Sequence, residues 1–405
     1  MNNPSSLIDL STAEFVADPY PTYHRLLEAN APHWYTHSGV TGGMWLFTRY
    51  EDVLALFKEA RVSKNISVLL TPEIVTPLER SMLFRDPPDH TRLRALVHQT
   101  FTPARVRDLE GRIAQIVTEL IERVRPEGSM DFLADFALPL PVIVIAELLG
   151  VPHSDRDRFR LWSNHIIQGV DMTRATEESG KRYGAAMQGL VEYFTALIAQ
   201  RRAEPADDIL SAMVAAQDSE ANQKDRLTEE EILGAAILLL VAGHETTVNL
   251  LGNGLYTLFR HPDQLALLRT HPEHLPSAVE EMLRYESPVQ RGTFRFVRES
   301  FTVGGMTIGA NEQVSAVIGA ANRDPDQFHD PDRFDITRDP NRHLAFGFGI
   351  HFCLGAALAR AEARVGFAHL LAAFPTLQVD PSALATPPWQ PSGFFRGLQT
   401  LPVVF

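Results

Sequence analysis

From Pro103 to Arg123 the apolar residues Val106, Leu109, Ile113, Ile116, Val117 and Leu120 recur at three- and four-residue spacing, which predicts an amphipathic helix. A longer helix is predicted from about Glu229 to Phe259, opened by Thr228 with Glu231 three residues on, the pair of a capping box. Its first half, ILGAAILLLVAG, is apolar on every side, so this helix should run through the core. At about 1.5 Å per residue it would extend roughly 45 Å. Strand patterning is confined to Thr293–Val303 and Met306–Val317, rich in Thr, Phe, Val and Ile and separated by Gly304-Gly305, a hairpin signal. The pattern is that of a mainly α protein with a minor antiparallel β region.

No repeat, low-complexity tract or Gly/Ser linker divides the chain, and the polar stretches near Pro205 and before Leu227 read as surface connections between helices. A single domain over residues 1–405 is therefore expected. With 45% hydrophobic residues the chain can bury an extended core, and its net charge of -13 argues against nucleic acid as a partner. The N-terminus lacks the features of a secretory signal, and the longest apolar stretch has about a dozen residues against the roughly 20 of a membrane span. A cytoplasmic protein with no membrane partner is expected. The solitary cysteine, Cys353, can form neither an internal disulfide nor a multi-thiolate zinc site.

Cys353 stands where a glycine-rich stretch, Phe346-Gly-Phe-Gly-Ile-His-Phe-Cys-Leu-Gly355, gives way to the helix-favouring run AALARAEAR. Backbone N–H groups and the positive end of a helix would stabilise a thiolate there. Gly347, Gly349 and Gly355 let the backbone approach a flat ligand or turn sharply. A random lone cysteine is usually just a small buried hydrophobe. The flanking residues change that reading: F-G-x-G-x-H-x-C-x-G resembles the haem-thiolate signature of the cytochrome P450 superfamily, with Phe346, Gly347, Gly349, His351, Cys353 and Gly355 at every defining position. The resemblance implies the cytochrome P450 fold, with a long central helix over a buried haem b, and Cys353 as the metal ligand.

Further motifs follow in the family's order. His90 and Arg94, four apart on a helical face, could be an ordinary surface pair, but resemble the family's clamp on the haem propionates; Arg295 and His351 match two more propionate donors. Ala242-Gly-His-Glu-Thr-Thr247 could simply mark a helix leaving the core, yet it resembles the oxygen-binding motif. That likeness makes Glu245 and Thr246 the catalytic acid and alcohol and places Ala242 and Gly243 against the cofactor. Oxygen activation needs protons delivered in a dry pocket, and a hydroxyl beside the oxygen with a carboxylate to relay from water meets that need. Glu281 and Arg284 would be a simple i, i+3 ion pair on spacing alone; in the family such a pair forms a buried network with a later arginine, here Arg338 in preference to Arg333.

Phrases such as AGHETTVNL and GAANRDPDQF resemble the bacterial soluble branch that includes macrolide and polyketide oxidases and the fatty-acyl-cleaving enzyme of biotin synthesis. The implied activity is insertion of one atom of dioxygen into an apolar substrate, a fatty acid, polyketide or macrolide, or terpenoid. Electrons would come from a separate ferredoxin and ferredoxin reductase. A hydrogen-peroxide-dependent peroxygenase and a non-catalytic haem sensor or carrier are the rivals, and the Glu245-Thr246 pair argues against both. Substrate contacts are expected from Val68, Leu69, Leu70, Ile74 and Val75, from a lid around Trp162–Met172, and from Leu239, Leu240, Val289, Thr293 and Phe394 or Phe395. Arg291 would meet a substrate carboxylate or carbonyl, or point to solvent. Arg105, Arg112 and Arg360 would face a ferredoxin or be ordinary surface charge.

Overall fold

The computed structural model describes residues 9–36, 43–69, 75–100, 103–170, 176–218, 226–293 and 295–405. Helices dominate, as the patterning predicts. The two long helices fall at Pro103–Val124 and Glu229–Arg260, within a residue of their predicted ends. The second opens on the expected reciprocal cap: the Thr228 N–H donates to Glu231 Oε2 at 2.8 Å and the Glu231 N–H donates to Thr228 Oγ1 at 3.2 Å. By length and composition this helix could cross a membrane, but 72% of its apolar window is buried inside the protein, which marks it as a core helix.

The contacts divide the chain into two compact units, neither continuous in sequence. One comprises Ser63–Asp108 and Pro141–Glu245. It holds the helices Asp89–Thr100, Arg156–Val170 and Glu177–Ala203 and the first half of the core helix. Arg156–Val170 and Glu177–Ala203 pack through an aromatic cluster, with the Phe159 ring edge-on to Tyr193 at 4.6 Å and to Phe194 at 5.5 Å. Gly189 permits that approach: a Cβ there would lie 2.6 Å from the Trp162 ring.

The other unit comprises Met1–Val62, Leu109–Leu140 and Thr246–Phe405. Its main sheet sets His33–Thr36, Gly43–Phe47, Gln313–Ala316 and Arg295–Val297 side by side. Gly43–Phe47 and Gln313–Ala316 run parallel, as the long intervening chain allows, while the flanking pairings are antiparallel. The predicted hairpin is present at its tip, where Phe301 pairs with Ile308 and Val303 with Met306 around Gly304 and Gly305. Both glycines have positive φ, 55° and 75°, as a two-residue turn of the primed type demands. The predicted strands are shorter than the pattern suggested, because Arg298–Ser300 and the left-handed Asn311 (φ 68°) interrupt them. Beyond the interruption Arg295 still pairs with Val314, so the hairpin's base survives in the main sheet.

Candidate functional site

The cysteine loop is built by its own backbone. The Gly347 N–H donates to the Leu344 carbonyl at 2.8 Å and the Cys353 N–H to the Phe346 carbonyl at 2.9 Å, folding the segment back on itself. Gly347 and Gly349 hold φ of 70° and 74°, conformations that a side chain would strain. A helix follows at Ala356–Ala373, so the thiol sits just ahead of a helix N-terminus, as expected. A Cβ at Gly355 would meet Cys353 Sγ at 4.0 Å, an ordinary van der Waals distance. Cys353 is exposed, where an inert structural cysteine would be buried. His351 lies in the loop's short 3-10 turn.

Behind the loop, Glu281 and Arg284 are completely buried and paired through two bonds of 2.7 Å. Arg338 completes the network, its Nε donating to Glu281 Oε1 at 3.2 Å. Arg333 offers the network its backbone carbonyl, which accepts from both Arg284 and Arg338, while its own side chain is mostly exposed and lies 3.8 Å from Asp335. Burial pulls the Arg284 guanidinium below its ordinary pKa, and Glu281 opposes that fall. Arg295 is buried in its strand, donates to the Thr293 carbonyl and lies 5.0 Å from the Phe57 ring centroid.

In the other unit, His90 and Arg94 share a face of the helix Asp89–Thr100, as their spacing predicts. His90 is buried, and burial, then Arg94, then Lys64 push its imidazole pKa down to about 4, with Asp86 opposing. Lys64, 3% exposed, is a further basic residue that spacing could not reveal, because it joins the pair only through the fold. A buried ammonium beside an arginine and a histidine is a chemistry suited to carboxylates.

The core helix changes character at the predicted motif. Ala242 is exposed and Gly243 and Thr246 are partly so, three positions on one face of a helix that is otherwise buried here. Gly243 also admits Ile145: a Cβ there would meet its side chain at 3.2 Å. Glu245 is buried. His244, fully enclosed, points its Nδ1 at the Leu240 carbonyl at 3.0 Å and lies 3.5 Å from Ser163 Oγ. Burial lowers the His244 pKa, with Glu245 and that carbonyl opposing. One further group escaped the sequence reading. Glu362, on the helix after the cysteine, is 1% exposed and neither of its oxygens has a well-formed hydrogen bond among the described residues. Burial pushes its carboxyl up to about 8, against a smaller pull from Thr247.

The expected substrate contacts are spread along the chain. Leu239 and Leu240 are buried on the core helix, Val289 bridges Phe395, and Val68 is exposed. Leu70, Ile74, Met172 and the side chains of Leu69 and Arg105 lie outside the described residues. Arg291 does not point to solvent: it is buried, and its Nε donates to the Gly393 carbonyl at 2.7 Å. Arg360 is held by Glu280 and is not loose surface charge. A surface hollow at the start of the core helix, lined by Arg202, Gln217, Arg226, Leu227, Thr228 and Glu229, contains none of the expected site residues.

Residues 22–394 match the family model described as Cytochrome P450. Cytochrome P450 monooxygenase PikC of Streptomyces venezuelae is 44% identical over 396 residues, covering 96% of this chain and 92% of PikC. The solved structure of the bacillaene polyketide synthase cytochrome P450 PksS of Bacillus subtilis 168 superposes with a TM-score of 0.90 at 38% identity, over 98% of this chain and 99% of PksS. That of P450BioI, in complex with hexadec-9Z-enoic acid ligated acyl carrier protein, does so with 0.88 at 39%, over 97% and 100%. The chain belongs to the cytochrome P450 family, in the bacterial branch its sequence resembles. It is an oxidoreductase of the monooxygenase class whose cofactor is haem b.

The residues present fit that group. A haem brings its own nitrogen ligands, so one thiolate from the protein suffices, and Cys353 is the one thiol and is exposed. The accessible face at Ala242, Gly243 and Thr246 lacks bulky side chains, as close approach of a flat macrocycle requires.

Proposed function

We propose that this enzyme inserts one atom of dioxygen into a long or bulky apolar substrate of the fatty-acyl or polyketide class, with electrons from a separate ferredoxin and its reductase. When bound, haem b supplies the oxygen-activating and electron-accepting chemistry, and a thiolate ligand favours O–O cleavage. Cys353 is the ligand in this reading, with His90, Arg94, Arg295 and His351 as donors to the propionates. Phe346, Gly347 and Gly355 shape the loop beneath it. Thr246 presents a hydroxyl that both donates and accepts hydrogen bonds on the accessible face, and Glu245 next to it passes protons inward from water. Ala242 and Gly243 keep that face low.

The observation that carries the proposal is a half-exposed hydroxyl, Thr246, on the open face of a buried helix, with the buried carboxylate of Glu245 one residue before it in the chain. Transfer of a proton, not mere ligand binding, needs both. The fatty-acyl alternative draws support from P450BioI, described with a fatty acid on its acyl carrier protein, and the polyketide alternative from PksS. Residues 1–405 act as a single catalytic domain in the cytoplasm in this reading.

The test is turnover of fatty-acyl and polyketide panels with dioxygen plus a surrogate ferredoxin system, set against peroxide alone. Product should form in the first condition, and Thr246→Ala should lower product per electron about tenfold or more while consumption of the reductant continues. Product with peroxide alone would make the protein a peroxygenase, and unaltered coupling in Thr246→Ala would remove Thr246 from proton delivery.

A further inference from the structure

Glu280 is the neighbour of Glu281, but it serves a different set of partners. Its carboxylate accepts from Arg360 Nε at 2.6 Å and from Arg360 Nη2 at 2.7 Å, a planar two-pronged pair, and meets His343 Nε2 at 3.0 Å. The Ala345 N–H donates to His343 Nδ1 at 3.2 Å, which leaves the ring proton on Nε2, facing Glu280. All three groups are partly or wholly shielded from water.

His343 lies just before the cysteine loop and Arg360 just after it, so Glu280 ties the two ends of the loop together. The cluster also reaches the loop's first residue. The Arg360 guanidinium sits 4.5 Å from the Phe346 ring centroid, and the His343 ring centroid is 6.1 Å from the same ring. The Phe346 carbonyl in turn accepts the Cys353 N–H. A continuous chain of contacts therefore runs from Glu280 through Arg360 and Phe346 to the residue that bears the thiol.

We propose that Glu280, Arg360 and His343 are positioning residues that fix Phe346 and, through its carbonyl, hold the Cys353 sulfur in place as haem ligand. This rests on the assignment of Cys353 as that ligand. The cluster is distinct from the Glu281, Arg284 and Arg338 network, and its arginine stands on the loop's own helix. It is not a pH switch: burial disfavours the ionised Glu280, but the hydrogen bonds from Arg360 and His343 outweigh it and hold the carboxyl down at about 2.

The test compares haem-loaded wild type with Glu280→Gln, which removes the charge, and Arg360→Lys, which keeps the charge but loses the planar fork. The readout is the ferrous carbon monoxide complex followed over time, well below the melting temperature of each protein. Both variants should lose the thiolate-type band to the thiolate-free one about tenfold faster than wild type, the scale on which groups behind a metal ligand act. Arg333→Ala, with its exposed side chain, should match wild type. Wild-type rates in both Glu280→Gln and Arg360→Lys would overturn the proposal, as would an equal acceleration in Arg333→Ala. A wild-type protein with no thiolate band would instead overturn the ligand assignment itself.

Discussion

Glu362 carries its proton at neutral pH, and that has a consequence for stability. Its folded pKa is raised from the ordinary 4.5 to about 8, so the fold favours the neutral acid. The associated stability is complete below about pH 4.5 and is lost as pH rises towards 8, the reverse of the usual carboxylate. A shift of this size in a fully buried group amounts to several kcal/mol, on the order of 1.4 kcal/mol for each unit. Glu362→Gln, which keeps the shape without the titration, should melt like wild type at pH 5 and several degrees above it at pH 8.5. Parallel melting curves across pH for the two proteins would show that the carboxyl is ionised in the fold.

At the scale of elements, networks around the cysteine loop decide which arginines matter. Arg338 donates to buried Glu281 and also caps the carbonyls of His329, Asp330 and Arg333. Arg338→Ala strips a partner from a buried ionic cluster and should cost about 3 kcal/mol or more in denaturant unfolding. Arg333→Ala should stay within about 0.5 kcal/mol. The Glu281-Arg284 pair was legible in the sequence because both residues sit on one helical face, and so was the loop, whose ten residues are contiguous. Lys64 beside His90, Glu280 gripping Arg360, and Glu362 near Thr247 were not, because each depends on segments that the fold alone brings together. The hairpin was legible at its glycine turn but not in its length, since Asn311 breaks the strand by adopting a backbone conformation that periodicity does not encode.

At the scale of the molecule, the contacts group into two units that the chain enters and leaves repeatedly. Such units leave no compositional trace, because the crossings at Asp108, Leu140 and Glu245 fall inside or beside helices and not in polar linkers. The last crossing separates Glu245 from Thr246, so the two members of the oxygen motif belong to different units although they are adjacent in sequence. A fragment of residues 246–405 lacks Gly43–Phe47, the strand beside Gln313–Ala316. Expressed alone it should show no cooperative melt and no near-ultraviolet circular dichroism. The exposed Cys353 also has a consequence for handling. A chain with one accessible thiol can oxidise with a second copy and then has nothing left to react, so air exposure of the haem-free protein ends at covalent dimers and never at ladders.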